Sequence, residues 1–267
     1  MIRAERQAKI LQLVRERGFI ETQEIARELG VSPVTIRRDL RFLSDQELIR
    51  LDHGGSAKVD YLQKNTEPLY ETKVYLNHAY KAAIGAAAVA MIENNDTIIL
   101  DSGTTNAQIA YHMRHKAWQN ITVITCDLVI AKELCTQPNI NVLMLGGILR
   151  RSFYTAYGSF TEQILRNLKA NKFFLGIDAA SQDHGITNIV LEEVPIKQLS
   201  IEISDRVILV ADSSKFAHNA PFKVCGWSQV SQVITDSCIH PEMLDFFIDN
   251  NISYHLANTE CKEGNPT

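Results

Sequence analysis

Short apolar runs alternate with helical segments over most of the chain beyond Ala79, and this alternation is the strongest constraint on its fold. The runs are rich in β-branched residues and short, which is typical of strands buried on both faces. Strands that alternate with helices form a largely parallel sheet covered by those helices. The sequence therefore predicts an α/β fold here. The runs comprise residues 97–100, 121–125, 142–145, 173–177, 207–210 and 233–235.

The first sixty residues differ in character and predict three short helices. The first covers residues 4–17, and the second begins at Thr22, which is a good N-cap residue. The third begins at Ser32 as N-cap, with Pro33 at the first helical position, where its missing N–H costs nothing. Two helices joined by a short turn containing glycine predict a helix-turn-helix core at about residues 20–41.

The third helix carries two opposite stripes of side chains. Its inward stripe is apolar and consists of Ile36, Leu40 and Leu43. Its outward stripe is mostly basic and consists of Val34, Arg37, Arg38 and Arg41. A solvated charged surface is one interpretation of the outward stripe. The other is DNA recognition, because the second helix of this motif enters the major groove, where arginine contacts both guanine and phosphate. Ser32 and Thr35 would then also lie near the groove.

A β-hairpin is predicted directly after the third helix. Residues 48–51 and 57–59 form its strands, and Gly54-Gly55 form its tight turn. A hairpin beside three helices makes a winged helix. His53 and Lys58 would lie on the wing, within reach of the DNA backbone.

The chain thus divides into regions of unequal charge. The net charge is −4, but residues 1–58 carry +2 and the remainder carries −6, which supports a DNA-binding N-terminus only weakly. The predicted regions are a winged helix-turn-helix domain at 1–58, a linker at 59–77, a larger α/β domain at 78–256 and a disordered tail at 257–267.

Several functional classes find no support in the sequence. No apolar run is long enough to span a membrane, and the charged N-terminus is not a signal peptide, so we expect a cytoplasmic protein. The five cysteines are scattered without C-x-x-C pairs, which argues against a disulfide framework or a zinc site. Neither G-x-x-x-x-G-K-[ST] nor G-x-G-x-x-G occurs, so no nucleotide cofactor is expected.

Ligands of α/β sheets bind beyond the carboxyl ends of strands. The first strand is followed by Asp101-Ser102-Gly103-Thr104-Thr105 and then by a helix. Such a loop offers free N–H groups, hydroxyls and a positive helix end, which suit an anion such as phosphate. An ordinary capped turn is the alternative interpretation. Other candidate residues that follow strands are Gly147, where a glycine lets the backbone approach a ligand closely, and the charged residues Arg150, Asp178 and Lys215. Thr187 precedes Glu193 and Lys197, which are spaced as a helical ion pair.

Two sets of motifs closely resemble one protein family. SPVTIRRDLRFL followed by LIRLDHGG resembles the DNA-binding domain of DeoR-type bacterial transcription regulators. LDSGTT, LGGILRR, FFLGID, HGIT and ADSSKF resemble the sensor domain of the same family, in the expected order. The resemblance covers nearly all of residues 5–256. Two departures are Leu51-Asp52, where relatives often carry a basic residue, and Ala179-Ala180, where many carry glycine after the aspartate.

The resemblance implies a repressor of a carbohydrate-utilisation operon, released by a phosphorylated sugar. It also implies a sensor domain similar in fold to ribose-5-phosphate isomerase, with no catalytic role. The expected partners are double-stranded operator DNA, the sugar phosphate and further copies of the chain. The implied effector contacts are Asp101, Gly103, Thr104, Thr105, Gly147, Arg150, Asp178, Thr187, Glu193, Lys197 and Lys215.

Two other hypotheses account for parts of the sequence. The first is a sugar-phosphate isomerase with a regulatory DNA-binding head, in which Asp101, Asp178, Glu193 and Lys197 would serve as acid–base groups. The fused winged helix favours sensing over turnover. The second is an architectural DNA binder without a ligand. Such a protein would not need the loop at residues 101–105, which suits an anion.

Overall fold

The computed structural model describes residues 1–52, 56–58, 66–216 and 218–261. Their contacts form two compact units, one reaching to His78 and the other running from Ala79 to Cys261. In the described chain no helix is long and apolar enough to cross a bilayer.

The first unit consists of helices and a small antiparallel sheet. In chain order its elements are α1 (Arg3–Arg17), β1 (Phe19–Glu21), α2 (Thr22–Leu29), α3 (Pro33–Asp45), β2 (Arg50–Leu51), β3 (Ser56–Lys58) and α4 (Tyr70–Lys73). The sheet order is β1-β3-β2, so the predicted hairpin gains a third strand, β1. Helix α4 lies within the stretch expected to be a linker.

Apolar side chains from all three main helices form the core of this unit. Ile10, Ile25 and Ile36 have no exposed surface, and the sheet contributes Ile20 and Ala57. Each helix is too short to be stable alone in water, so burial of this shared stripe is what holds the unit together.

One detail of the predicted helix starts is wrong. Thr22 is the first residue of α2 and not its N-cap, because Glu21 occupies the cap position in extended conformation. Glu21 is extended because it is also the last residue of strand β1.

The second unit is α/β, as predicted. Its strands are β4 (Thr97–Leu100), β5 (Ile121–Thr125), β6 (Ile140–Met144), β7 (Ile148–Arg150), β8 (Thr155–Tyr157), β9 (Ala170–Leu175), β10 (Ala179–Ser181), β11 (Gly185–Asn188), β12 (Ser204–Val210), β13 (Phe222–Cys225), β14 (Gln232–Asp236) and β15 (Tyr254–Ala257). Its helices are α5 (His78–Val89), α6 (Thr104–Met113), α7 (Leu128–Leu134), α8 (Ser159–Leu165), α9 (Val194–Glu202) and α10 (Pro241–Asp249).

Seven strands form one sheet in the order β15-β14-β12-β9-β4-β5-β6. Every neighbouring pair is parallel. From β4 the chain moves outward in one direction to β5 and β6, and from β9 it moves in the other direction. The carboxyl ends of β4 and β9 are therefore the switch point of the sheet, where ligands of such folds bind.

Two smaller antiparallel sheets accompany the large one. One has the order β10-β11-β13, and the other is the hairpin β7-β8. Both come from short segments that carry no continuous apolar run, and the sequence did not predict them.

The end of the described chain also differs from expectation. Strand β15 lies at the edge of the large sheet and ends at Ala257, the first residue of the expected tail. A disulfide joins Cys238 to Cys261, a pairing that the scattered cysteines did not indicate. Sheet pairing and the disulfide therefore hold the chain against the second unit as far as Cys261.

Candidate functional site

Helix α3 begins with the predicted cap. The Ser32 hydroxyl accepts a hydrogen bond from the Thr35 backbone N–H at 3.3 Å, and Pro33 occupies the first turn. Gly30 ends α2 with φ 64°, a left-handed conformation that glycine adopts without steric cost. These features set the tight turn of the helix-turn-helix.

The two stripes of α3 lie as the spacing predicts. Ile36, Leu40 and Leu43 are buried, whereas the opposite side chains are exposed. Within the described residues, the three exposed arginines Arg37, Arg38 and Arg41 form no ion pair with a carboxylate. A face with three unpaired guanidinium groups is suited to the phosphates and guanine edges of DNA.

A buried carboxylate fixes α3 against α1. Asp39 is 1% exposed and accepts hydrogen bonds from Arg6 Nε at 2.5 Å and from Gln7 Nε2 at 3.2 Å. A buried charge needs such partners, since leaving it unpaired costs several kcal/mol. Sequence reasoning missed Asp39, although an acidic residue between Ile36 and Leu40, on the edge of the inward stripe, was a signal.

The wing supplies less positive charge than expected. Lys58 pairs with Asp52, the residue after β2, at 2.5 Å, and both side chains remain exposed. Asp52, the acidic residue that departs from the family pattern, therefore offsets the positive charge of Lys58. His53 lies outside the described residues.

The loop after β4 forms the start of α6. Gly103 has φ 120°, a left-handed-region value that strongly favours glycine. Among the described residues, no acceptor is bonded to the backbone N–H groups of Thr104, Thr105 and Asn106, which begin the helix. The Thr104 hydroxyl and both amide atoms of Asn106 are buried and form no hydrogen bond to any described residue. Buried polar atoms without partners mark a place for a ligand or water.

Asp101 lies at the carboxyl end of β4 and is 4% exposed. Its carboxylate accepts hydrogen bonds from Lys197 Nζ at 2.5 Å and from the Gly176 N–H at 3.0 Å. Lys197 Nζ also donates to the Gly176 carbonyl at 3.0 Å. Because Gly176 follows β9, this buried ion pair spans the switch point of the sheet.

Lys197 remains a cation in this position. Burial lowers its pKa, but the charges of Asp101, Glu193 and Asp178 outweigh that effect and the net shift of the pKa is upward. The charges of three carboxylates therefore act on one ammonium group, and this cluster includes Asp101, the first residue of the loop 101–105.

Asp127 was not predicted, yet it shapes the same loop. It follows β5, is fully buried, and accepts the Gly103 N–H at 3.0 Å while capping α7 through Val129 and Ile130. Burial raises the pKa of Asp127 to about 6, against the lowering effect of these N–H donors. The rule that polar residues follow strands, applied to 121–125, would have found it.

Arg150 and Glu193 form an outer pair next to this cluster. Arg150 Nη1 lies 3.0 Å from Glu193 Oε1, and its guanidinium lies 3.7 Å from the centre of the Phe153 ring. Asn188 Nδ2 donates to the other Glu193 oxygen at 3.2 Å. The pair is mostly buried, so it links the hairpin β7-β8 to the start of α9.

The remaining predicted contacts are positioned by interactions of their own. Asp178 accepts the Ile189 N–H at 2.9 Å, and the Thr187 hydroxyl donates to the Ala179 carbonyl at 3.2 Å. Lys215 ends a short 3-10 turn, Ser213–Lys215. A Cβ on Gly147 would lie 2.4 Å from the Tyr157 carbonyl oxygen, so glycine is required there by packing of the chain itself.

These features define a DNA-binding protein of the helix-turn-helix class that carries an α/β unit on the same chain. Residues 6–61 match the DeoR-like helix-turn-helix domain, and residues 76–237 match the DeoR C-terminal sensor domain. The chain belongs to the DeoR family of transcription regulators.

Individual relatives are similar over almost the whole chain. A candidate aga operon transcriptional repressor of Escherichia coli O157:H7 is 34% identical, covering 91% of this chain and 89% of the relative. The glycerol-3-phosphate regulon repressor of Escherichia coli K12 is 30% identical, and the match covers 96% of this chain and 100% of the relative. The transcriptional regulator GolR of Listeria innocua is 28% identical, and the match covers 95% of this chain and 98% of the relative.

Solved structures share less sequence identity with this chain than these relatives do. Ribose 5-phosphate isomerase A from Neisseria gonorrhoeae has 14% identity and a TM-score of 0.39, with 56% of each chain covered. Translation initiation factor eIF-2B from Pyrococcus horikoshii has 12% identity and a TM-score of 0.46, covering 86% of this chain and 87% of that one. Similarity at this level says nothing of what this chain binds.

Proposed function

We propose that this chain represses a carbohydrate-utilisation operon and that a phosphorylated sugar or sugar derivative releases it from operator DNA. Two of the relatives described above are named as repressors, one of the aga operon and one of the glycerol-3-phosphate regulon. Glycerol 3-phosphate, in the name of the second relative, is a phosphorylated compound, and this supports an anion-binding role for the second unit of this chain.

Operator binding rests on α3. Arg37, Arg38 and Arg41 are exposed on the face opposite the core, and Ser32, Val34 and Thr35 lie at the end of the helix that would meet base edges. Val34 is 65% exposed, which suits contact with a thymine methyl group. The arginines would hold phosphate and guanine.

The observation that carries the effector assignment is the unpartnered Thr104 hydroxyl at the start of α6. It is buried beside helix N–H groups for which the described part of the chain offers no acceptor, at the switch point of the sheet. A phosphate would accept hydrogen bonds from these groups and gain from the helix dipole. Asp101, Lys197 and Glu193 would then face the sugar hydroxyls, which donate and accept hydrogen bonds.

Release requires that the effector bind two states of the protein unequally. Helix-turn-helix proteins usually read two half-sites one helical turn apart, so we expect a homo-oligomer whose two heads change their spacing. Light scattering of the full chain, with and without effector, measures that oligomeric state.

A ligand screen tests the effector proposal. The full chain is heated with phosphorylated sugars and with their unphosphorylated parents, and unfolding is followed by tryptophan fluorescence. A ligand at 100 times its dissociation constant adds about 2.7 kcal/mol, which raises the melting temperature of a domain of this size by about 5–10 °C. Stabilisation by the phosphorylated forms alone supports the proposal.

The hit must also act on DNA binding. Operator binding, measured by fluorescence anisotropy, should weaken in wild-type protein on addition of the same compound. The Thr104→Val variant should still bind operator but respond less. An unchanged response in Thr104→Val would place the phosphate elsewhere and contradict the site assignment.

The isomerase alternative finds less support in the same geometry. A general base at neutral pH needs a pKa near 7, whereas the carboxylates around Lys197 raise its pKa from an already high value. Turnover of a phosphopentose that disappears in Glu193→Gln would revive that alternative.

A further inference from the structure

Arg3, the first residue of α1, lies on the same face of the first unit as the arginines of α3. One groove of about 520 Å³ is lined by Arg3 together with Arg37, Arg38, Arg41 and Phe42. Arg3 was not among the sequence-predicted DNA contacts. Its side chain is 54% exposed.

Two contacts hold the Arg3 guanidinium in place. Its carbon lies 4.4 Å from the centre of the Phe42 ring, a cation–π distance, and its Nε lies 3.6 Å from Asp39 Oδ1. At 3.6 Å the contact with Asp39 is longer than a hydrogen bond, and the side chain remains 54% exposed, so the guanidinium can still reach a further anion. A guanidinium held in this way loses less conformational entropy when it binds a ligand.

Charge decides what the groove can bind. Its lining carries four arginines against one carboxylate, Asp45. The neighbouring Asp39 is already shared with Arg6 and Gln7, so it neutralises Arg3 only in part. A strongly positive groove along a recognition helix is complementary to the phosphate backbone of a duplex.

We propose that Arg3 is a DNA-binding residue that contacts a backbone phosphate beside the groove entered by α3. This proposal rests on the proposed operator binding and extends it to α1. Phe42 and Asp39 act as positioning residues that hold the guanidinium toward the DNA. A phosphate contact fixes the orientation of a protein on DNA and carries no sequence information of its own.

Salt dependence gives the test its specific signature. The full chain, as wild type and as Arg3→Ala, is titrated at several salt concentrations with an operator selected from a random library by the wild-type protein, and with a random-sequence duplex. Loss of one phosphate contact should reduce the slope of log K against log salt by about 1. Affinity should fall by the same factor on both duplexes, on the order of fivefold.

Two further variants serve as controls. Lys9→Ala removes the same charge from another exposed position on α1, where Lys9 pairs with Glu5, and should leave the slope unchanged. Arg3→Lys retains the charge and should restore most of the slope. Circular dichroism of each variant checks that the helices remain folded.

Three results would overturn the proposal. One is an unchanged slope in Arg3→Ala when Arg37→Ala binds operator more weakly, which leaves the proposed function intact. Another is loss on the operator alone, which would make Arg3 a base-reading or helix-positioning residue. The third is an equal slope change in Lys9→Ala, which would show a general effect of net charge. If neither Arg37→Ala nor Arg3→Ala affects DNA binding, the operator assignment itself fails.

Discussion

The buried pair Asp101–Lys197 allows a quantitative test of the sensor unit. Both side chains are 4% exposed, and their charged atoms lie 2.5 Å apart. Replacing Lys197 with methionine keeps the volume but leaves the Asp101 carboxylate buried with only backbone N–H donors. Removing one partner of such a pair typically costs about 3–5 kcal/mol. We therefore expect Lys197→Met to lower the free energy of unfolding of the second unit by about this amount.

The double variant measures the attraction between the two charges separately from the cost of burying each of them. In Asp101→Asn combined with Lys197→Met no charge remains, so the loss should be smaller than the sum of the two single losses by about 2–4 kcal/mol. A coupling near zero would show that the two charges do not stabilise each other.

Urea unfolding followed by tryptophan fluorescence suits this measurement. The chain has two tryptophans, and both of them, Trp118 and Trp227, lie in the second unit. The signal therefore reports that unit without a contribution from the helix-turn-helix. A loss below about 1 kcal/mol in Lys197→Met, the usual value for exposed pairs, would refute the assignment of this pair as buried and coupled.

Three further predictions concern single side chains. Arg37→Ala should weaken operator binding by about 1–3 kcal/mol if Arg37 contacts a base, as measured by anisotropy. Thr104→Val should bind operator as tightly as wild type while needing more effector for release, as measured by titration of the complex. Because the pKa of Asp127 is raised from 3.8 to about 6, its contribution to stability is full below pH ~4 and is lost as pH rises to ~6, by about 3 kcal/mol. The difference in unfolding free energy between wild type and Asp127→Asn should follow that curve, and a pH-independent difference would contradict it.

The sequence predicted the large sheet well, because buried parallel strands leave a clear signal. The predictions at 97–100 and 121–125 coincide with β4 and β5, and the other four runs overlap β6, β9, β12 and β14. Strand β15 was missed because it lies at an edge, where only Ala257 is fully buried and the run is not continuously apolar. Strand order depends on contacts distant in sequence and could not be derived.

The candidate sites were predicted to different extents. The faces of α3 follow from helical spacing alone, which is why Ile36 is buried and Arg37 exposed as expected. The contact between Asp101 and Lys197 joins residues 96 positions apart, and no local pattern encodes it. The family resemblance suggested both residues, but their pairing across the switch point comes from the fold.

The sequence separation of Asp101 and Lys197 affects the order in which a newly synthesised chain can form its two units. All described elements of the DNA-binding unit precede Ala79, whereas Asp101 finds its partner only when Lys197 has been synthesised. Ribosomes add about 5–20 residues per second, so roughly 6–24 s separate the emergence of His78 from that of Lys197. Each nascent chain therefore contains its helix-turn-helix before its buried ion pair can form, and the proposed release by an effector could begin only at the end of that interval.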